Sequence, residues 1–393
     1  MGWYSRSNNG PDKPLGRVAY LDGIRGWASF AVLLSHVLMC FLVLSTPSLQ
    51  FNKARLAEDL ATHNYLDISA GIVLRFASDR RLAVMVFFVL SGYVLSVGHL
   101  NPAKRKLALA AISRYFRLMI PILATSIIAY LLLKFGLMFN LQVATAPERS
   151  SGWLGTFYQF EASIRDVVAF SFYDVFFRYD SRTSYNSSLW TMAVELYGSF
   201  VIYAYLGIFR ATAKVPWRLS LLTTLSLFVL APVFSCFFIG YILAEVNQKY
   251  ASGPFSGRVS ARTVDALSAA VFFLTAVVST YWRASGHHIC IFAAALVASV
   301  SFSGSLRRVF AGRVSQFLGR ISFPLYLIQI PIICSWSSYL YLRLPELGMD
   351  VATSNLVNLF STILLALVSA ALLLPIERFS VAYAKKIGGF LLS

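Results

Sequence analysis

Long apolar stretches recur along the chain and alternate with short polar segments that carry Lys and Arg. A helix needs roughly 20 mostly apolar residues to cross the hydrocarbon core of a bilayer. Stretches of about this kind recur from Trp27 to Pro375, and they predict an all-α, polytopic bundle of transmembrane helices. We expect about ten spans, at 27–46, 82–99, 118–139, 189–209, 218–230, 231–246, 264–282, 288–303, 321–342 and 355–375.

One apolar run, 219–244, leaves the span count open, because it contains Pro232 and proline ends or kinks a helix. The run is either one long span or two short ones. With a cytoplasmic N-terminus, ten spans place most of the 34 Lys and Arg residues in the cytoplasm, as the positive-inside rule expects. Nine spans would put the basic segments 307–320 and 378–386 outside. We therefore predict ten spans and two cytoplasmic termini.

Composition excludes a soluble protein, because 58% of the residues are hydrophobic and only 13% are charged. The net charge of +17 would suit a nucleic-acid-binding protein. The basic residues lie instead in short segments between apolar spans, so we predict no nucleic-acid partner. All four cysteines lie within apolar runs, and we interpret them as small core residues rather than a disulfide framework: Cys40, Cys236, Cys290 and Cys334.

The spans form one predicted domain, 22–378, between cytoplasmic tails at 1–21 and 379–393. The first tail lacks the apolar core and cleavage site of a signal peptide, so we expect the first span to anchor the chain. Two long connections, roughly 47–81 and 140–188, are predicted to lie outside. Both mix aromatic with charged residues, which favours amphipathic or re-entrant pieces packed over a membrane cavity.

Two ionisable residues, Arg25 and His36, belong to the first span, where a charge is costly and indicates function. They are 11 residues apart, close to three helical turns, so both leave one helix face about 16 Å apart along the axis. We expect them to point into one cavity, with Arg25 at its cytoplasmic mouth and His36 near mid-membrane. A neutral imidazole is a suitable general base for a hydroxyl. The alternative is a histidine that only bonds a neighbouring helix.

Glu195 is a second buried ion, in the fourth span. Such a carboxylate orients an imidazole or holds an acceptor hydroxyl, or else it pairs with an arginine such as Arg25.

Arg114 and Arg117 are about one turn apart at the predicted cytoplasmic end of the third span, after the basic segment 104–106. Guanidinium groups on adjacent turns clamp a phosphate, which arginine binds bidentately. Anchoring by the positive-inside rule is the alternative interpretation.

No pattern in the sequence predicts a metal site. His287 and His288 are adjacent, but no Cys, Asp or Glu lies nearby at ligand spacing. The segment 63–67 spells H-x-x-x-D, a pattern known from soluble acyl-CoA enzymes, yet no glycine follows and the segment belongs to a predicted outer loop. Ser91 is outside a G-x-S-x-G elbow, so we do not interpret it as a nucleophile.

The chain resembles the acyltransferase 3 family of integral membrane O-acyltransferases, particularly its fungal members, from about Tyr20 to Pro375. Six pieces in family order carry the resemblance. They are LDGIRG at 21–26 leading to His36, FFVLSGY at 87–93, RYFRLMIP at 114–121, SLWTMAVELY at 188–197, FFIGYILAE at 237–245 and ISFPLYLIQIP at 321–331.

The resemblance implies transfer of an acyl group, commonly acetyl from acetyl-CoA, to a hydroxyl of a sugar, lipid or small product. The family's R-x10-H motif falls on Arg25 and His36, and its basic third-span motif falls on Arg114 and Arg117. We therefore expect the three arginines to bind the phosphates of acyl-CoA, His36 to act as general base, and Glu195 to orient the base or the acceptor.

Three further residues in these motifs are candidate substrate contacts, namely Ser91, Trp190 and Tyr197. The sequence departs from the family at Gln329, where many members have histidine. Glutamine cannot be a general base, so His36 is left as the candidate base.

A natural product of secondary metabolism is the favoured acceptor, with a glycan or a lipid as alternatives. We expect a multi-pass protein of the endoplasmic reticulum or another endomembrane, with no metal cofactor.

The alternative to an acyltransferase is a transporter or flippase, in which the buried Arg, His and Glu form a substrate or proton path. No pair of Gly- or Pro-broken spans recurs in the two halves, as inverted-repeat carriers often show. A membrane scaffold would leave the aligned Arg25 and His36 unexplained.

Overall fold

The computed structural model describes residues 18–42, 65–100, 107–145, 153–210, 217–252, 260–281 and 286–391. Every regular element in these ranges is helical, which confirms the predicted all-α bundle. In chain order the α-helices are α1 (Ala19–Val37), α2 (Tyr65–Ala77), α3 (Arg80–Val97), α4 (Leu107–Lys134), α5 (Asn140–Ala144), α6 (Ile164–Ala169), α7 (Val175–Phe177), α8 (Trp190–Arg210), α9 (Trp217–Leu230), α10 (Pro232–Ser252), α11 (Ala261–Tyr281), α12 (Gly286–Phe302), α13 (Gly304–Phe310), α14 (Arg313–Ile332), α15 (Ser338–Glu346), α16 (Val351–Leu372) and α17 (Leu374–Leu391).

Most predicted spans overlap one of these helices. The span 321–342 covers the end of α14, a π-helical turn and the start of α15, and the span 355–375 runs from α16 into α17. Seven described helical stretches are long and apolar enough to cross a membrane. The pair α12 and α13, bent by 100° at their junction, would make an eighth. The chain is therefore an integral membrane protein, and the count of ten spans stays a prediction.

The ambiguous run at 219–244 is divided into two helices. Helix α9 ends at Leu230 and α10 begins at Pro232. Proline fits the first position of a helix, because it has no N–H to donate and its φ is already helical. The break proposed from the sequence is present in the structure.

The first helix begins at Ala19, eight residues before the predicted start of the first span at Trp27. Arg25 is consequently inside α1, and His36 lies in its last turn rather than at its centre. A π-helical turn, Leu38–Leu42, continues α1 to the end of this described segment.

Helices α1 and α14 run parallel and pack closely, because small residues line their contact. A Cβ atom added to Gly26 would overlap the backbone of Gly319, and one added to Gly319 would overlap the backbone of Asp22. Further along the pair, the Ser29 hydroxyl donates to the carbonyl of Ser322 at 2.7 Å. Small residues let helix backbones approach in lipid, where van der Waals packing drives helix association.

Helices α3 and α10 form a second close pair, in which Gly92 and Gly240 each face the other helix's backbone. The core of the bundle lies along these two pairs. The four cysteines are buried and free within it, as predicted: Cys40, Cys236, Cys290 and Cys334.

The predicted C-terminal tail, 379–393, is a helix through Leu391 rather than a free tail. This helix, α17, packs against the first half of α4. The Ser113 hydroxyl donates to the carbonyl of Ala384 at 3.0 Å, and Gly388 lies against Leu109. The segment is helical because it is amphipathic and α4 buries its apolar face. Its place on the cytoplasmic side stays a prediction.

The connection between α4 and α8 folds into short helical pieces, as its composition predicted. Helices α6 and α7, joined by a π-helical turn at Phe170–Asp174, bury Val167 and Phe176 and leave Phe172 and Phe177 exposed. Much of the other long connection, 47–64, lies outside the described residues.

Candidate active site

A cavity of about 150 Å³ opens between α1, α3, α4, α8, α14 and α17. Typical small-molecule pockets are larger, at about 300–1,000 Å³. Its walls combine six charged side chains with apolar and aromatic ones. The lining residues are Leu21, Asp22, Arg25, Val84, Phe87, Phe88, Leu90, Ser91, Val94, Leu95, Arg114, Arg117, Leu118, Thr191, Met192, Glu195, Phe323, Tyr326 and Glu377. The structure thus brings Arg25, Arg114 and Arg117 to one cavity, as the sequence predicted.

Arg25 is held in place by α1 and α14. Its guanidinium donates to Asp22 at 2.9 Å, to the hydroxyl of Ser322 at 3.0 Å and to the carbonyl of Gly319 at 3.3 Å. Asp22 is one turn before Arg25 on the same helix, so the ion pair forms within α1. These bonds fix the side chain at the cavity wall.

Arg114 is joined to Glu195 by a buried salt bridge, with both side chains 12% exposed. Its Nε donates to the hydroxyl of Ser199 at 3.0 Å. Ser91 donates to the same carboxylate oxygen of Glu195. Glu195 therefore pairs with an arginine, and the arginine is Arg114 rather than Arg25.

The prediction that Glu195 orients His36 is not supported by this geometry. The carboxylate belongs to the charged cavity, whereas His36 is bonded to another residue on α14. An ion desolvated this strongly needs an opposite charge, and Arg114 supplies it.

Arg117 is the most exposed of the three cavity arginines. Within the described part of the chain it has no hydrogen bond or ion pair, and its nearest charges are Arg114, Arg25 and Glu377. Its guanidinium thus has all five N–H donors left for a ligand anion, whereas Arg25 and Arg114 each have Nε and one terminal nitrogen committed to protein partners.

The cavity charges cancel, because Asp22, Glu195 and Glu377 face the three arginines. The sequence predicted a basic phosphate clamp, and it did not predict that the acids Asp22 and Glu377 would line the same cavity. Asp22 had a visible signal, since its spacing of three residues from Arg25 suits an ion pair within a helix. Glu377 had no such signal in the sequence, because only the packing of α17 against α4 brings it to the cavity.

His36 is buried in the last turn of α1 and bonded to α14. Its Nδ1 lies 3.3 Å from the amide oxygen of Gln329. The ring stacks on Trp153 with centroids 5.0 Å apart and planes 25° apart. Trp153 belongs to the connection between α4 and α8, so this connection packs over the histidine. No sequence signal linked Trp153 to His36.

Gln329 determines which ring nitrogen of His36 carries the proton. Its Nε2 donates to the carbonyl of Tyr326 at 3.1 Å, which turns its amide oxygen toward His36. Because that oxygen only accepts, Nδ1 of His36 is the donor. The neutral ring then has its lone pair on Nε2, which is the arrangement that a general base requires.

Arg25 and His36 do share one face of α1, since both contact α14. The prediction that they point into one cavity was wrong, because His36 is absent from the described lining. Tyr326 lies between the cavity and Gln329 along α14.

The structure separates the three candidate substrate contacts. Ser91 lines the cavity, whereas Trp190 and Tyr197 do not. Trp190 is 43% exposed and Tyr197 is 39% exposed. Both share α8 with Thr191 and Glu195, but a helix turns about 100° per residue, so they leave other faces of it. This cavity does not provide such a contact, and their assignment as substrate contacts stays a prediction.

The comparisons with known proteins agree with the resemblance carried by the motifs. No curated protein and no solved structure matches the chain. A family model described as an acyltransferase domain, acyltransferase 3, matches residues 18–375, which is most of the chain. The chain therefore belongs to the acyltransferase 3 family and is a membrane acyltransferase.

Proposed function

We propose that the protein transfers an acyl group, in the simplest case acetyl, from acyl-CoA to a hydroxyl, with His36 as the general base. The acceptor's O–H bond breaks as its proton passes to Nε2 of His36. The hydroxyl oxygen bonds to the thioester carbon and the C–S bond breaks. The proton then passes from His36 to the CoA thiolate, which leaves an ester and free CoA.

The observation that carries this proposal is the bond between His36 and Gln329. A buried histidine that donates from Nδ1 presents Nε2 as an acceptor and has no charge to stabilise in the membrane. Trp153 stacks on the ring and holds its plane. General base catalysis by such a group contributes about 10²–10⁴-fold.

The donor would bind with its acylated end in the charged cavity. At about 150 Å³ this cavity has no room for a whole CoA, so the nucleotide would remain at the open face. Arg117 would offer a phosphate all of its N–H groups, whereas Arg25 and Arg114 would offer only those that their protein partners leave. The basic segment 104–106, predicted at this end of the bundle, lies outside the described residues.

The acceptor would reach His36 from the side that Trp153 covers. A small natural product with a free hydroxyl suits this route, and a glycan or a lipid is the alternative. In the predicted topology the donor cavity lies at the cytoplasmic end of α1, and His36 lies toward the opposite face of the membrane. We propose that this membrane is the endoplasmic reticulum or another endomembrane.

The test uses membranes that contain the full chain, with labelled acetyl-CoA and an extract of candidate acceptors. We expect His36→Ala to lower label transfer by about 100-fold or more. His99→Ala is the matched control, because His99 follows the end of α3, where its Nδ1 lies 3.0 Å from the carbonyl oxygen of Leu95 and its ring packs edge-on against Tyr203. Transfer at the normal rate by the His36 variant would refute the role of the base. Accumulation of substrate in vesicles without consumption of acetyl-CoA would favour a transporter instead.

A further inference from the structure

Tyr326 occupies a defined level between Arg25 and His36. Helices α1 and α14 are parallel, so later residues of α1 contact later residues of α14. Arg25 bonds Ser322, and His36 bonds Gln329. At 1.5 Å per residue, Tyr326 lies about 6 Å beyond Ser322 and about 4.5 Å before Gln329 along the helix axis.

Two hydrogen bonds and a ring contact hold the Tyr326 side chain. Its hydroxyl donates to the carbonyl of Ser188 at 2.9 Å and lies 2.9 Å from the hydroxyl of Thr191. Its ring meets Phe87 edge to face, with centroids 5.7 Å apart. The residue is 5% exposed. The orientation and the position of the ring are therefore set by α3, by α8 and by the helical turn Ser187–Leu189 that precedes α8.

Tyr326 belongs to the cavity and to the histidine site at once. Its side chain lines the cavity. Its carbonyl accepts a hydrogen bond from the side-chain amide of Gln329, and the amide oxygen of Gln329 accepts one from His36. Among the α14 residues that line the cavity, Tyr326 is the nearest to Gln329 in the chain, and neither Gln329 nor His36 lines it. Thr191 and Phe87 line the same end of the cavity.

We propose that Tyr326 is the specificity-determining residue that limits the size of the acyl group reaching His36. The proposal rests on the proposed acyl-CoA reaction. A close-packed wall admits an acyl group only up to the size of the space beside it, and each additional methylene needs space that the Tyr326 ring occupies. Removal of the ring would open that space, and removal of the hydroxyl alone would not.

The first experiment measures kcat/KM with acyl-CoAs of two, four, six and eight carbons. We expect Tyr326→Ala to raise the ratio of octanoyl to acetyl transfer by at least about tenfold. Tyr326→Phe retains the ring, so its ratio should remain within about threefold of the unmodified protein. Tyr241→Ala, which truncates a buried tyrosine on α10 that does not line the described cavity, is the matched control. A Tyr326→Ala protein that transfers acetyl and retains the original ratio would overturn the proposal.

A second measurement does not depend on catalysis. A thiol is introduced by Gln329→Cys and labelled with methyl and hexyl methanethiosulfonate, and the labelled peptide is quantified by mass spectrometry. We expect the hexyl-to-methyl rate ratio to rise about tenfold or more when Tyr326→Ala is added. An unchanged ratio overturns the proposal, and Tyr326→Leu replaces Tyr326→Ala if the latter does not fold. If the unmodified protein uses no acyl-CoA, the proposed function fails, while this ratio still decides the role of Tyr326.

Discussion

Nδ1 of His36 lies 3.3 Å from the amide oxygen of Gln329, a residue that is itself locked by its bond to the backbone of α14. Gln329 therefore accepts from His36 while it donates to the carbonyl of Tyr326. Because both the nitrogen and the oxygen of the Gln329 amide are hydrogen-bonded, Gln329 supports one tautomer of His36. In the proposed reaction this tautomer leaves Nε2 as the atom that accepts the proton.

Replacement of Gln329 by leucine should lower kcat about 10–100-fold, because a misplaced catalytic group of this kind loses up to about 10²-fold. The KM for acyl-CoA should remain within about twofold, since Gln329 does not line the described cavity. Gln329→Glu retains an accepting oxygen and should recover part of the loss. Steady-state kinetics of the three proteins checks this, and an unchanged kcat in Gln329→Leu would contradict it.

Trp153→Ala should uncover His36 and loosen its ring. An aromatic contact of this kind is worth about 0.5–1.5 kcal/mol, so kcat/KM for the acceptor should fall up to about tenfold. Modification of His36 by diethyl pyrocarbonate, followed by mass spectrometry, should become faster. Trp217→Ala is the control, because Trp217 is 62% exposed on α9 and should change neither quantity. Equal modification rates in the two variants would count against the stack.

Arg117→Ala should raise the KM for acyl-CoA about tenfold, because the most exposed cavity arginine loses one charge-assisted contact with the donor, worth about 1.5–3 kcal/mol. The effect should shrink at high salt, which screens an accessible charge. The folded protein should keep its Tm. A KM equal to that of the unmodified protein at low salt would show that Arg117 does not meet the donor.

Arg114→Ala should act mainly on stability. It leaves Glu195 buried without its partner, and breaking a buried pair costs about 3–5 kcal/mol. Thermal unfolding in detergent should show a lowered Tm, and Glu195→Gln in the same chain should restore part of it by removing the unpaired charge. A Tm that is unaffected by Arg114→Ala would mean that the pair does not hold α4 to α8.

Gly319→Val should separate α1 from α14. Even a Cβ atom would overlap the backbone of Asp22, and overpacking of this kind costs about 1–3 kcal/mol. The Tm should fall, and transfer should fall with it because Arg25 and His36 both depend on this interface. Gly389→Ala is the control, since a Cβ there meets nothing within 4 Å in the described structure. Similar Tm values for the two variants would rule out the close packing.

Some of these features were predictable from local pattern. The apolar stretches indicated the helices, and Pro232 indicated the break between α9 and α10 because proline lacks an N–H. The spacing of Arg25 and His36 predicted one shared helix face, since helical geometry repeats every 3.6 residues. The hydropathy pattern missed the early start of α1, because polar residues at a helix end can be buried by neighbouring helices.

The partners of the charged groups were not predictable, because they depend on which helices meet. Glu195 had two possible arginines in the sequence, and the packing of α4 against α8 selected Arg114. Trp153 reaches His36 from a connection more than a hundred residues away in the chain.

Period and composition therefore determine, from sequence alone, that this chain is a helical membrane protein with Arg25 and His36 on one face, because these properties arise within single helices. The close approach of α1 and α14 decides the rest. It places Gln329 beside His36 and Tyr326 between the histidine and the cavity. Such contacts depend on shape complementarity between distant segments, and no local pattern records it.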